Sequence, residues 1–175
     1  SMPLLAPMST IAGQLAFVVG SYHLLKHNKG KGVMIGHMDD MDPRVVTVIG
    51  AGVAGTQSIL KAIDNKALVK VVDSSQSKLN DLKSKYGTEN VEYILSSKDS
   101  IQVSVSESDL VIGSVYVVGK EAPKVVTKDM LSSMNPGTVM VDVSIDQGGC
   151  FETSKPTTHD SPTFLENDIV HYCVT

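Results

Sequence analysis

The residues that most directly imply chemistry are Gly50-Ala51-Gly52-Val53-Ala54-Gly55, a G-x-G-x-x-G turn that follows the apolar block Val45 to Ile49 without a break. In that position each glycine has its own task. Gly50 permits a tight exit from a strand, Gly52 lets the backbone approach a pyrophosphate with no Cβ in the way, and Gly55 lets the next helix pack closely on the sheet. Free N–H groups and the dipole at that helix's N-terminus favour two phosphate charges. An ordinary glycine turn would show the same letters; the strand before, the helix after and an acid downstream point to the nucleotide site. The acid is Asp73, 18 residues beyond Gly55, against the spacing of about 20 expected for a carboxylate that takes hydrogen bonds from an adenosine ribose. A carboxylate there repels a 2′-phosphate, so NAD is expected over NADP, with Lys78 one helical turn on to soften the repulsion. Asp73 also suits a cap for the next helix, and the two roles are compatible.

Asp146 closes the block Thr138 to Ile145 and is followed by Gln147-Gly148-Gly149, a tight exit. Open α/β sheets bind ligands beyond the C-terminal ends of their strands, which makes Asp146 a candidate; a turn-forming aspartate is the alternative. Asp142 reads as a buried, hydrogen-bonded strand residue instead of a second acid. His159-Asp160 lies in a polar loop and reads as structural. Cys150 follows two glycines, with no histidine near it in sequence to mark a nucleophile. His23, His27 and His37 form no ligand spacing, so no metal is expected.

The elements that must carry these residues alternate. Twenty-four valines, many in short blocks bounded by Gly, Asp or Asn, describe strands covered on both faces, hence a parallel sheet. Strands are predicted at Val45 to Ile49, Leu68 to Val72, Val91 to Leu95, Leu110 to Val118, Thr138 to Ile145 and Ile169 to Val174. Helices are predicted at Val53 to Ile63, Ser75 to Tyr86 and Thr127 to Met134, the last ended by Asn135-Pro136-Gly137. The serine-rich stretch Ser96 to Ser108 reads as polar connection. Two sets of three strands make an α/β protein with a doubly wound parallel sheet, the Rossmann dinucleotide-binding fold. Ahead of it, Ser9 is a candidate cap for a helix to about Lys26, with Ile11, Leu15, Val18, Val19, Tyr22 and Leu25 on one apolar face. Gly30, Gly32, Gly36 and Asp42-Pro43 mark an irregular link. The expected division is residues 3–43 for helix and link, and 44–175 for the dinucleotide-binding domain.

Composition closes other routes. Fifteen Lys and Arg against nineteen Asp and Glu leave a net charge of −4 with no basic cluster, so nucleic acid is not an expected partner. No apolar run approaches the roughly 18 to 20 residues of a bilayer span. Two cysteines and no signal-peptide pattern make the cytoplasm the expected compartment. Ser1-Met2 reads as the remnant of a cleaved tag and a start methionine.

Several segments together resemble the NAD-binding domain of alanine dehydrogenase. They are Ile49 to Thr56, Asp109 to Val115, Ala122 to Thr127, Val141 to Gly149 and the opening Pro3 to Ser9. The resemblance covers essentially the whole chain. It implies NAD as cofactor, alanine and pyruvate as small-molecule substrates of the longer parent, and oxidation of alanine by hydride transfer followed by hydrolysis of the imine. It implies that Asp146 is the catalytic carboxylate brought to the nicotinamide, while a substrate-binding lysine and an acid/base histidine belong to a substrate domain absent from this chain. It also implies a cofactor contact for Ser9, whose hydroxyl serves equally as a cap, and an adenine pocket at Ser96. Val115 and Tyr116 would border the cofactor and Val143 the nicotinamide ribose; Tyr116 stands where the family commonly has leucine. The related NAD(H)-binding domain of proton-translocating transhydrogenase usually lacks the aspartate of Ile145-Asp146-Gln147. A transhydrogenase domain and a non-catalytic NAD-sensing module are the alternative functions. Without its flanking domain the first helix would leave its apolar stripe partly exposed, and self-association through it is expected.

Overall fold

The computed structural model describes residues 2–26, 30–35 and 42–175; Ser1, His27, Gly36 and His37 lie outside the described residues. The elements are α1 (Met2–Leu25), β1 (Val45–Ile49), α2 (Val53–Asp64), β2 (Leu68–Asp73), α3 (Gln76–Tyr86), β3 (Val91–Leu95), α4 (Lys98–Ser106), β4 (Leu110–Gly113), α5 (Lys128–Leu131), β5 (Val139–Asp142), a 3₁₀ turn (Ile145–Gln147), β6 (Thr163–Glu166) and β7 (Ile169–Tyr172). The strands form one sheet in the order β3-β2-β1-β4-β5-β7-β6. Every neighbouring pair is parallel except β6 with β7. The order reverses between β1 and β4, whose C-terminal ends pair Ile49 with Gly113. That is the switch point at which open α/β sheets place ligands.

Side chains alternate across the sheet and feed two cores. Val46, Val48, Val69, Val71, Ile112 and Val141 join α1 and α2 on one face, while Ile49, Val72, Val111 and Met140 meet α4 and α5 residues on the other. Burial on both faces explains the unbroken valine blocks.

Several sequence expectations change. The stretch 96–108 contains α4, started by a capping box in which Ser97 and Ser100 exchange side-chain and backbone bonds. Its serines suggested a loop because serine competes with helical bonding elsewhere in a helix, yet at this end it satisfies the free N–H groups. A seventh strand, β6, hairpins onto β7 through Asn167 and Asp168, both left-handed (φ 51° and 61°), the twist a two-residue hairpin requires. β4 ends at Gly113 and β5 at Asp142, earlier than expected, because the neighbours to which they bond turn away there. Finally, α1 starts at Met2, which places Ser9 inside the helix and removes its capping role.

The face of α1 that meets the core also differs. Gly13, Ala16, Phe17, Gly20 and Leu24 pack inward, with Gly13 so close to α2 that a Cβ would lie 2.0 Å from the Ala54 carbonyl oxygen. Ser58 Oγ donates to the Gly13 carbonyl at 2.7 Å. Of the expected stripe only Val19 packs on the core, whereas Ile11, Leu15, Val18, Tyr22 and Leu25, with Met8 a turn before them, are 47–67% exposed. The helix is apolar all round, so periodicity alone could not choose its buried face.

On β7, His171 is fully buried and stacked on Phe164, with ring centroids 4.8 Å apart. Its Nδ1 lies 2.9 Å from the Ile169 carbonyl and its Nε2 2.6 Å from Thr153 Oγ1. A carbonyl only accepts, so Nδ1 carries the proton and Nε2 accepts from the hydroxyl, a neutral imidazole. Burial lowers its pKa from the ordinary 6.5. The unfolded chain therefore binds a proton that the folded chain resists, and this contribution to stability is complete above pH 6.5 and declines below it. Thermal unfolding followed from about pH 7.5 to about pH 5 should show a smaller drop in Tm for His171→Gln than for the parent.

Candidate functional site

The glycine turn separates structural demands from spare room. Gly50 is left-handed (φ 95°), and a Cβ on it would stand 2.1 Å from the Ser114 carbonyl oxygen. A Cβ on Gly55 would stand 1.7 Å from the Gly50 carbonyl oxygen. Gly52 is different: its φ is −77°, which any residue adopts, and nothing in the protein lies within 4 Å of where its Cβ would be. Nothing within the fold asks for glycine there, so the demand comes from what approaches from outside. Gly52 is the N-cap of α2 and supplies no side-chain cap, whereas Ser75 and Ser97 cap α3 and α4. The first N–H groups of α2 are left for an anion.

Asp73 ends β2 beneath this turn, with its side chain 9% exposed. One carboxylate oxygen accepts the Ala51 N–H and the other the Ser75 N–H, each at 2.8 Å. Lys78 Nζ lies 3.9 Å away, and Ser75, not Asp73, caps α3. Asp73 thus braces the turn and commits the Ala51 N–H, while a carboxylate keeps capacity for further donors such as ribose hydroxyls. Gly50, Ala51, Gly52, Asp73, Lys78, Ser96, Val115 and Tyr116 together line a groove of about 370 Å³.

Beyond it lies a second, more open recess, of about 510 Å³, lined by Tyr116, Val117, Lys120, Glu121, Asp146 and Gln147 among others. Asp146 is exposed at this recess, on the 3₁₀ turn after β5. Its loop is held by opposite charges. The buried Asp142 carboxylate accepts from Ser144 N–H and Cys150 N–H, each at 2.9 Å, and from the Ser154 hydroxyl. The Lys124 ammonium donates to the carbonyls of Gly148 and Gly149, two consecutive left-handed residues. Ser144 Oγ donates to the Val115 carbonyl at 2.8 Å, tying the Asp146 loop to the β4 exit that carries Tyr116. Gln147 has a buried amide oxygen with no hydrogen-bond partner.

The structure does not bring every candidate to these two recesses. Val53, Ala54 and Gly55 form the first turn of α2 beside the groove, but Ser9 on α1 and Val143, half-buried against the core, line neither recess. His159 and Asp160 are exposed in their loop. Burial, reinforced by Asp142, pushes the Cys150 thiol well above its ordinary pKa, so it stays protonated and is a poor nucleophile. Among the described residues no group of three or more His, Cys, Asp or Glu could hold a metal. Sequence reasoning missed Lys124 and Glu121, because their relation to Asp146 exists only once residues 120–126 run beside 147–152; Gln147 it read only as part of the exit after Asp146. The Ala122 N–H to Gln147 carbonyl and Val125 N–H to Cys150 carbonyl bonds, both 2.8 Å, make that register.

Comparison with known proteins gives a consistent result. The profile of the family described as alanine dehydrogenase/PNT, C-terminal domain, matches residues 16–175. The chain is 48% identical over 173 residues to an alanine dehydrogenase of Halomonas elongata, covering 99% of this chain and 46% of that protein. It is 46% identical over 175 residues to the alanine dehydrogenase of Mycobacterium tuberculosis, covering 99% of this chain and 47% of that protein. A solved L-alanine dehydrogenase superposes with a TM-score of 0.94 at 40% identity, covering 99% of this chain and 48% of that one. A transhydrogenase from Sinorhizobium meliloti, at TM-score 0.82 and 22% identity over 98% of this chain and 49% of that one, shares the fold. The chain spans about half the length of the curated relatives it matches.

Asp142 holds the frame of the second recess. Asp142→Ala strands the buried Ser144 and Cys150 N–H groups and should destabilise the chain by about 3 kcal/mol or more, read from the shift of its urea unfolding midpoint.

Proposed function

This chain belongs to the alanine dehydrogenase/PNT C-terminal domain family, which binds NAD, and from that premise we propose that it is the cofactor-binding half of an enzyme converting L-alanine, NAD and water to pyruvate, ammonia and NADH. The single observation that carries the reading is Gly52. It is unconstrained by its own φ or by any neighbour, at the uncapped N-terminus of α2, beside a braced carboxylate, and so it fits a pyrophosphate. The dinucleotide supplies hydride acceptance when bound.

The residues of this chain divide the remaining work. The N–H groups at the start of α2 take the phosphates. Asp73 takes adenosine ribose hydroxyls and repels a 2′-phosphate, with Lys78 beside it and Ser96 on the adenine side of the same groove. Val115 and Tyr116 carry the groove toward Asp146, which presents a carboxylate where a proton is accepted or an ammonium held. We read the substrate-binding lysine and the acid/base histidine as belonging to a separate substrate domain. Loss of hydride from the alanine Cα to the bound dinucleotide and of a proton from the alanine nitrogen would leave an imine that water hydrolyses to pyruvate and ammonia. Residues 44–175 would form the cofactor domain and 3–43 its link to that second domain. Two free cysteines suit a reducing, cytoplasmic setting, and no described helix is long and apolar enough to cross a membrane.

A homo-oligomer completes the proposal. The exposed residues of α1 at 8, 11, 15, 18, 22 and 25 repeat at alternating steps of three and four, the heptad spacing at which helices pair. The same stripe displays no charge that would oppose a second copy.

Two measurements test this. Calorimetric titration should show NADH binding well above NADPH, and Asp73→Asn should narrow that ratio about tenfold; equal binding of both by the parent would overturn the assignment of Asp73. Size-exclusion chromatography with light scattering should give a dimer or larger species that Leu15→Glu dissociates, whereas a clean monomer at high concentration would remove α1 as the contact.

A further inference from the structure

Tyr116 and Val117 line both recesses, and of the two only Tyr116 is exposed. Tyr116 is 63% exposed, it lines both the groove of the glycine turn and the recess of Asp146, and it makes no hydrogen bond among the described residues. A large aromatic surface left in water at the meeting of two recesses costs solvation unless something covers it. Its setting is fixed, because the adjoining Val115 carbonyl is bonded to Ser144 on the Asp146 loop.

The chemistry around that ring favours a cation carrying a hydrogen-bond donor. An aromatic face attracts positive charge. The recess beside it holds two carboxylates, Asp146 and Glu121, against one ammonium, Lys120. Gln147 adds a buried amide oxygen that lacks a donor. The two redox forms of a nicotinamide dinucleotide differ in this respect: the oxidised ring is a pyridinium cation, the reduced ring is neutral, and both carry a carboxamide N–H.

We infer that Tyr116 is a specificity-determining residue that favours the oxidised cofactor, the pyridinium lying against its ring while the carboxamide donates to Gln147 Oε1. The inference rests on the proposed nucleotide site and adds to it a discrimination between redox states. It also distinguishes the two ends of the ligand, since ADP-ribose keeps the adenosine and both phosphates but has no nicotinamide.

The test is calorimetry of the chain with NAD, NADH and ADP-ribose for the parent, Tyr116→Leu and Tyr116→Phe. Tyr116→Leu should weaken NAD about threefold to fivefold more than it weakens either NADH or ADP-ribose, while Tyr116→Phe keeps the parental ratio. Equal losses for NAD and NADH, a parallel loss for ADP-ribose, or no change in any ligand would each overturn the inference while leaving the nucleotide site in place. A Phe variant that behaves like Leu would overturn it too, since the hydroxyl and not the ring would then matter. No binding of ADP-ribose or NAD by the parent would overturn the nucleotide site and the inference together.

Discussion

The tightest constraint in the molecule is the contact of α2 with what lies on either side of it. On one side the Gly55 backbone rests against the Gly50 carbonyl, on the other the Ala54 carbonyl rests against Gly13 of α1, and neither contact has room for a Cβ. α2 is therefore pressed between the turn that leaves β1 and α1 at backbone distance, and its N-terminus is delivered to the edge of the switch point with little freedom to move. The position of the groove and the direction of the helix dipole follow from where that one turn ends. Interior packing dense enough to register single methyl groups makes such a contact an effective locator.

Aspartates at strand ends do the corresponding work for the loops. Asp73 at the end of β2 collects N–H groups from the glycine turn and from the start of α3. Asp142 at the end of β5 collects them from both sides of the Asp146 loop. Asp109, just before β4, bonds the Val45 N–H at 2.9 Å and Lys31 at 2.8 Å, pinning the link from α1 to the start of the sheet. A buried carboxylate holding several backbone donors is satisfied and rigid, and the loops it anchors inherit that rigidity. The exposed Asp146 differs from Asp73 and Asp142 in being held by its loop instead of holding it.

The glycine turn, β1 to β3, α2 and the role of Asp142 as a buried bonded residue were all legible in the residues, because each is decided by neighbours a few positions away. Val45 to Ile49 running into Gly50 states a strand, an exit and a helix start in one local passage. The Ser97 and Ser100 box was local as well, but a run of serines is ambiguous until one knows whether it sits at the start of a helix or within a loop. β6 was hidden for another reason. Thr163 to Glu166 is four residues with little pattern, and it is a strand because β7 is there to pair with it.

Sequence by itself determined the doubly wound class, the place of the glycine turn and the acid beneath it, since apolar period, glycine spacing and strand-end carboxylates are short-range properties. Tertiary structure alone decided which face of α1 is buried, that Lys124 grips the loop after Asp146, and that Tyr116 stands between two recesses. Those facts depend on segments distant along the chain meeting at particular registers, and an all-apolar helix or an isolated lysine carries no local signal of its partner. The alternation of residues says that a surface will be covered; only the packed fold says by what.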